Sequence, residues 1–217
     1  MPKDEPIHGD GWLIDAVSRH AKQYCGEIAF VIHETASSTV HVDVHVTSPS
    51  ANRPYYTLIT SGMAQSPMQV PPEYGSSRFA ELMMCLPADW KIQEQYWTED
   101  SSYWPIGLLR WLARYPHEDS TWLWMGHSVR GKEDGAPYGS NTTMSDLVLL
   151  EPRTIPEQAC WFHAEDRDIA LLAVYPILRQ ELDFKMQRGS SALEELFLQA
   201  GVTELLDTKR NSVVPVN

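Results

Sequence analysis

Two short stretches of this sequence are apolar on both sides of a strand, and each runs into a proline. Phe79 to Leu86 carries one polar residue, Glu81, before Pro87, and Ile169 to Tyr175 is apolar almost throughout before Pro176. Side chains alternate faces along a strand, so a strand with no polar face has to be covered on both sides. Neither run approaches the ~20 residues that a membrane-spanning helix needs. The chain therefore has to build a sheet interior with helices laid over it.

The rest of the sequence supplies those parts. Leu13, Ala16, Val17, Ala21 and Tyr24 fall at helical spacing, with Asp10 placed to cap and Gly26 to terminate. Glu27 to Glu34, a polar turn at Ala36-Ser37-Ser38, and Thr39 to Thr47 read as a half-buried hairpin, because Val40, Val42, Val44 and Val46 alternate with polar residues. Tyr55 to Thr60 continues the strand pattern, and three prolines between Pro67 and Gly75 mark a loop. Pro105 stands where a first helical residue belongs, and Ile106, Leu109, Leu112 and Ala113 follow it, with Pro116 closing the helix. Thr121 to Met125 reads as a short tryptophan-rich strand, Gly131 to Tyr138 as a charged loop, and Asp146 to Leu150 as a strand. Pro176 is placed to open a helix that runs to about Arg188. A last helix starts with the capping box Ser191 and Glu194, buries Leu193, Leu196, Phe197 and Ala200, and ends at Gly201. The expected fold is α+β: a single domain with a mixed, mostly antiparallel central β-sheet flanked by about four helices. It occupies residues 10–207, between a disordered tail at 1–9 and a flexible tail at 208–217.

Charge narrows the partners. With 29 acidic against 17 basic residues, the formal net charge is -12. Phosphate binding needs clustered cations, so a nucleic-acid partner is not expected and a basic protein partner is. The first six residues have no apolar core of a signal peptide, and no anchor to a membrane is visible. Cys25, Cys85 and Cys160 are odd in number and widely spaced, as expected of reduced core residues in a cytoplasmic protein.

The enzyme-like features are few. Strand alternation sets His41, Asp43 and His45 on one face, opposite the valines, and two imidazoles with a carboxylate suit a metal-assisted hydrolase, with His127 as a further member. Against this, His41 and His45 stand roughly 13 Å apart along a strand, too far for easy chelation. Gly126-His127-Ser128-Val129-Arg130 resembles a nucleophile elbow but has Arg130 where glycine is required. Glu165, Asp166 and Asp168 fall in a polar turn, where charge is normally solvated. No phosphate loop, dinucleotide fingerprint or H-E-x-x-H occurs, so no cofactor is expected. Trp90, Tyr96, Trp97, Tyr103 and Trp104 lie in an irregular acidic stretch, and aromatic residues on loops often anchor interfaces. The candidate partner-binding residues are His41, Asp43, His45, Trp97, Tyr103 and His127, with no catalytic residue among them.

Longer strings carry a family resemblance. Thr60-Ser61-Gly62-Met63, Glu81 through Trp90, Trp104-Pro105 leading to Leu112-Ala113-Arg114-Tyr115-Pro116-His117, Thr121 through His127, and Ala200 through Leu205 together resemble the suppressor of fused domain, in the same order. The resemblance is to the stand-alone, mostly bacterial members, which lack the second domain of the animal protein. It implies a non-catalytic protein that binds another protein, in the bacterial members as an immunity protein neutralising a toxin domain; a regulatory scaffold is the other such role. In the animal protein a bound peptide adds a strand to the sheet, and the hairpin from Glu27 to Thr47 is expected to offer such an edge here.

Overall fold

The computed structural model describes residues 9–35, 37, 39–75, 78–132 and 134–215. The expected tail at 1–8 and the turn residues Ala36 and Ser38 lie outside the described residues. Helix α1 (Gly11–Tyr24) leads into β1 (Ile28–Ile32), β2 (Asp43–Thr47), β3 (Tyr55–Ser61) and β4 (Ala80–Pro87). Helix α2 (Asp100–Glu118) precedes β5 (Ser128–Arg130), β6 (Asp146–Leu150), β7 (Trp161–Ala164) and β8 (Arg167–Ile177). Helices α3 (Arg179–Arg188) and α4 (Ser190–Ala200) close the order. The eight strands form one sheet in the order β1-β2-β3-β4-β8-β6-β5, with β7 paired to β8. Among the eight named strands only β4 and β8 pair in parallel, so the fold is α+β around a mixed, mostly antiparallel sheet. Among the described residues no helix is long and apolar enough to cross a membrane.

The two proline-ended runs are the adjacent strands at the sheet centre, as their composition requires. Leu82, Met84 and Leu86 of β4 join Ala170, Leu172 and Val174 of β8 in the core beneath α2, with Leu109 and Leu112. Their alternate neighbours Met83, Cys85, Ile169 and Leu171 face Leu13, Val17 and Ala21 of α1. Farther along β8, Tyr175 and Ile177 pack with Leu182, Leu193 and Phe197 of the last two helices.

Both misplaced helix starts trace to prolines that the fold accommodates. Helix α2 begins at Asp100, so Pro105 lies inside it. A proline within a helix leaves the carbonyl four residues back without its usual donor. That carbonyl, on Ser101, accepts from Asn141 Nδ2 at 3.0 Å. Pro176 does not open a helix: it stays in β8 opposite Leu147. β4 pairs with β8 only as far as Ala173, so the missing N–H falls where β8 has β6 on one side and no strand on the other. The residues 121–125 form no strand, and the edge strand is β5, three residues on. The strand β7 was not anticipated. Neither Asp10 nor Ser191 caps a helix through its side chain; Gly189 precedes α4, and Glu194 pairs with Arg153 at 2.7 Å. Gly201, at φ 68°, ends α4 as expected.

Five carboxylates are buried among the described residues: Asp43, Glu81, Asp146, Glu181 and Glu204. Each is satisfied by donors from a loop or chain end, as a buried acid must be. Glu81 accepts from Gly62 N–H and Ala64 N–H, both at 2.9 Å, and meets Thr60 Oγ1 at 2.5 Å. Gly62 sits at φ 137° with His41 O only 1.9 Å from where a Cβ would be, so no other residue fits. Glu204 accepts from Arg153 N–H, Thr154 N–H, the Thr154 hydroxyl and the Tyr175 hydroxyl at 2.7–3.2 Å. Glu181 takes Leu178 N–H, Val213 N–H and the fork of Arg210 at 2.6 and 2.7 Å, holding the chain beyond α4 against α3.

Burial pushes the Glu81 carboxyl up to about 7 against the opposing pull of Thr60 and the backbone N–H groups. Because the folded value lies above the unfolded one, the native state binds the extra proton between pH 4.5 and 7. The contribution is therefore full below pH 4.5 and is lost as pH rises through 7. Urea titrations should show stability falling across pH 5–7 by up to about 1.4 kcal/mol per pH unit from this group, and Glu81→Gln should flatten that slope. An unchanged slope in the variant would assign the effect to another group.

Candidate protein-binding surface

The six residues singled out by the sequence do not converge. Asp43 and His45 share a face of β2, but the strand expected from Thr39 begins only at Asp43, so His41 precedes it, and all three are buried rather than half exposed, at 6%, 1% and 0% for His41, Asp43 and His45. Asp43 Oδ1 accepts from Glu34 N–H at 2.9 Å and contacts His41 Nε2 at 3.0 Å, and its Oδ2 contacts His33 Nδ1 at 3.0 Å. His45 is held between Ser18 Oγ at 3.1 Å and Ser61 Oγ at 2.8 Å. Burial lowers its pKa to about 4, so it stays a neutral ring that donates through one nitrogen and accepts through the other. These side chains join α1, the residue 33–34 turn and β3 and are buried among them. Among the described residues no group of three or more His, Cys, Asp or Glu is placed to hold a metal ion.

Trp97 and Tyr103 are half-buried packing residues. Trp97 Nε1 donates to Ile92 O at 3.0 Å, its ring lies 6.3 Å from that of Tyr103, and the Tyr103 hydroxyl accepts from Arg110 at 3.2 Å. Arg110 also donates to Ile32 O at the end of β1, at 2.8 Å. The expected hairpin edge is therefore β1, and it is blunted twice: by that guanidinium and by a bulge between Ile28 and Phe30.

His127 lies at the other edge of the sheet, where β5 pairs with β6 alone. Its ring stands edge-on to Trp122 at 4.5 Å, and Trp122 stacks on Tyr74 at 5.1 Å, a residue 51% exposed. Burial lowers the His127 pKa. Leu149 N–H donates to His127 O at 2.9 Å, which fixes the ladder phase. Antiparallel pairs alternate between bonded and non-bonded, so with His127 opposite Leu149 bonded, Val129 turns its backbone to β6, while Ser128 and Arg130 turn theirs to the open side. Ser128 Oγ accepts from Lys185 of α3 at 3.0 Å.

Beside this edge runs a groove of about 530 Å³ between α2 and the loop after β5. Trp104, Leu108 and Trp111 line it from one stripe of α2, with Gly107 between them, and Lys132 and Tyr138 form the opposite wall. Trp104 stacks on Tyr138 with centroids 5.7 Å apart, and Trp111 remains 40% exposed. A larger hollow of about 730 Å³ opens where β4 and β8 diverge, but the strand edge there is taken: Cys85 N–H donates to Glu204 O and Leu206 N–H to Cys85 O. The sequence missed the groove because it began α2 at Pro105, which removed Trp104 from the helix; the i, i+4, i+7 spacing of Trp104, Leu108 and Trp111 was the available signal.

The sequence profile described as Suppressor of fused protein (SUFU) matches residues 38–211. Comparison with curated protein sequences gave no match. A SUFU homologue from Neisseria gonorrhoeae has the same fold, with 16% identity, 95% of this chain and 97% of that one covered, and a TM-score of 0.65. The structure described as the Sufu-Fu complex gives 14% identity, 96% and 93% coverage and a TM-score of 0.64. Drosophila Suppressor of Fused gives 13% identity and a TM-score of 0.56, with 89% of this chain but only 47% of that one covered.

Replacing Ser61 by alanine leaves the buried His45 Nε2 without a partner. It should cost about 1–3 kcal/mol in urea unfolding while partner affinity in the folded protein stays unchanged. A loss of affinity at constant stability would return this cluster to the binding surface.

Proposed function

Because the chain belongs to the suppressor of fused family, we propose that it acts by binding another protein, taking an extended segment of that partner as an added strand on β5. The observation that carries this reading is the pairing of an unsatisfied strand edge with an adjacent apolar groove. Outward backbone groups of Ser128 and Arg130 supply affinity, and the groove supplies side-chain selection. The Sufu-Fu complex is an assembly of a protein of this fold with another protein, in keeping with such a role.

The biological setting we favour is immunity in the cytoplasm, with the partner a basic toxin domain. Two features support it. The net charge of -12 draws a basic partner over long range, and the chain matches a bacterial homologue along nearly the whole length of both. A regulatory scaffold uses the same surface with a different partner.

The test is capture from native cell extract at low and high salt, with wild type and Ser128→Pro side by side. Proline removes an N–H that points away from β6, so the variant should stay folded. Wild type should retain one protein and the variant should lose it by tenfold or more. A folded variant that binds as wild type does would rule out the β5 edge. Release of a basic toxin domain by salt supports immunity, whereas a salt-resistant partner without basic character removes that setting and leaves the binding role.

A further inference from the structure

The geometry points to a specificity pocket on this edge: the Gly107 notch takes one bulky apolar side chain of the partner strand, and Arg130 with Lys132 takes an acidic residue beside it. This inference rests on the strand-addition reading above. Gly107 lies in the interior of α2, where glycine is unfavourable relative to alanine. Nothing in the fold asks for it. Its φ is not positive, and a Cβ there would meet only the Tyr103 ring, at 3.6 and 3.8 Å, which is ordinary contact. Gly139 makes the contrast: a Cβ there would come within 2.3 Å of the Trp104 ring, so that glycine is required for packing.

What the absent side chain at 107 does is leave part of the groove wall bare. Trp104 and Trp111 lie three residues before and four after it on one helix face, and Leu108 forms the neighbouring wall. Trp111 is among the most exposed large apolar side chains of the described residues, which a packing role does not explain. An apolar groove with a bare place in its wall suits an aromatic or long aliphatic side chain.

Charge sets the second element. In a chain with an excess of acidic residues, the open edge ends in two exposed cations, Arg130 and Lys132. Neither forms an ion pair with a described residue, and the Lys132 amine contacts only Pro137 O at 3.4 Å. Two described acids nearby are engaged with backbone: Asp134 accepts from Ala136 N–H at 2.9 Å and Asp100 from Ser140 N–H at 2.8 Å. A partner carboxylate is the complement. An overall basic toxin satisfies this with one local acidic residue, since net charge governs encounter and the edge governs register.

The probe is a positional-scanning library of extended hexapeptides presented to the full chain. Wild type should enrich Trp, Phe, Leu or Met at one position and Asp or Glu within two residues of it. Gly107→Leu, which fills the notch with a better helix former, should keep or raise the urea midpoint and lose the apolar preference by about tenfold or more, the scale on which pockets discriminate by side-chain size. Gly107→Ala should show the same change in smaller degree. Arg130→Glu with Lys132→Glu should replace the acidic preference by a basic one. A wild-type profile without apolar or acidic preference, or an unchanged profile in folded Gly107→Leu, overturns the pocket. If the profile persists in Ser128→Pro as well, the strand-addition reading falls with it; if Ser128→Pro alone abolishes it, that reading stands without the pocket. No enrichment by wild type counts against both.

Discussion

Buried carboxylates hold this fold in register. A buried acid is costly unless donors surround it, and here many of the donors are backbone N–H groups of loops that have no ladder of their own. Glu81 fixes the turn at 62–64, Glu204 fixes residues 153–154, and Glu181 fixes the chain near residue 213. The turn at 62–64 is gripped from other elements too, by His117 on Met63 O at 2.9 Å and Arg167 on Ala64 O at 2.8 Å. Acidity in this chain is thus partly internal, and net charge overstates the acidity of the surface.

The same arrangement decides which strand edges remain available. The Glu204 segment bonds to Cys85 and fills the divergence of β4 from β8. Arg110 and a bulge blunt β1. β5 remains open, short enough not to invite indiscriminate pairing and flanked by a groove that adds selectivity. The outer edge of β7, which pairs with β8 alone, is open too but lacks that groove.

Much of this was legible in the sequence for identifiable reasons. The central strands were readable because two-sided burial leaves a compositional mark, and Asp146–Leu150 was placed to the residue. Pro105 and Pro176 misled because proline is read as a boundary, whereas Asn141 supplies the donor in one case and an unpaired flank removes the need in the other. From alternation alone the histidine face reads as packed under a loop or exposed to water, since nothing local says that Ser18 of α1 and Ser61 of β3 will satisfy His45. Of the six candidate residues only His127 adjoins the groove-lined edge. Long matched strings located the family but not the surface, because Thr60 to Met63 and Glu81 are alike through a shared internal clamp.

The central claim is that the partner pairs with β5, and amide hydrogen exchange on the complex tests it most directly. The Ser128 and Arg130 amides point to the open side and should exchange rapidly in the free protein and slow markedly when the captured partner is bound, while Val129, already turned to β6, changes little. Protection appearing instead along Ile28–Ile32, with Ser128 and Arg130 unchanged, would contradict the account and move the binding surface to the opposite edge of the sheet.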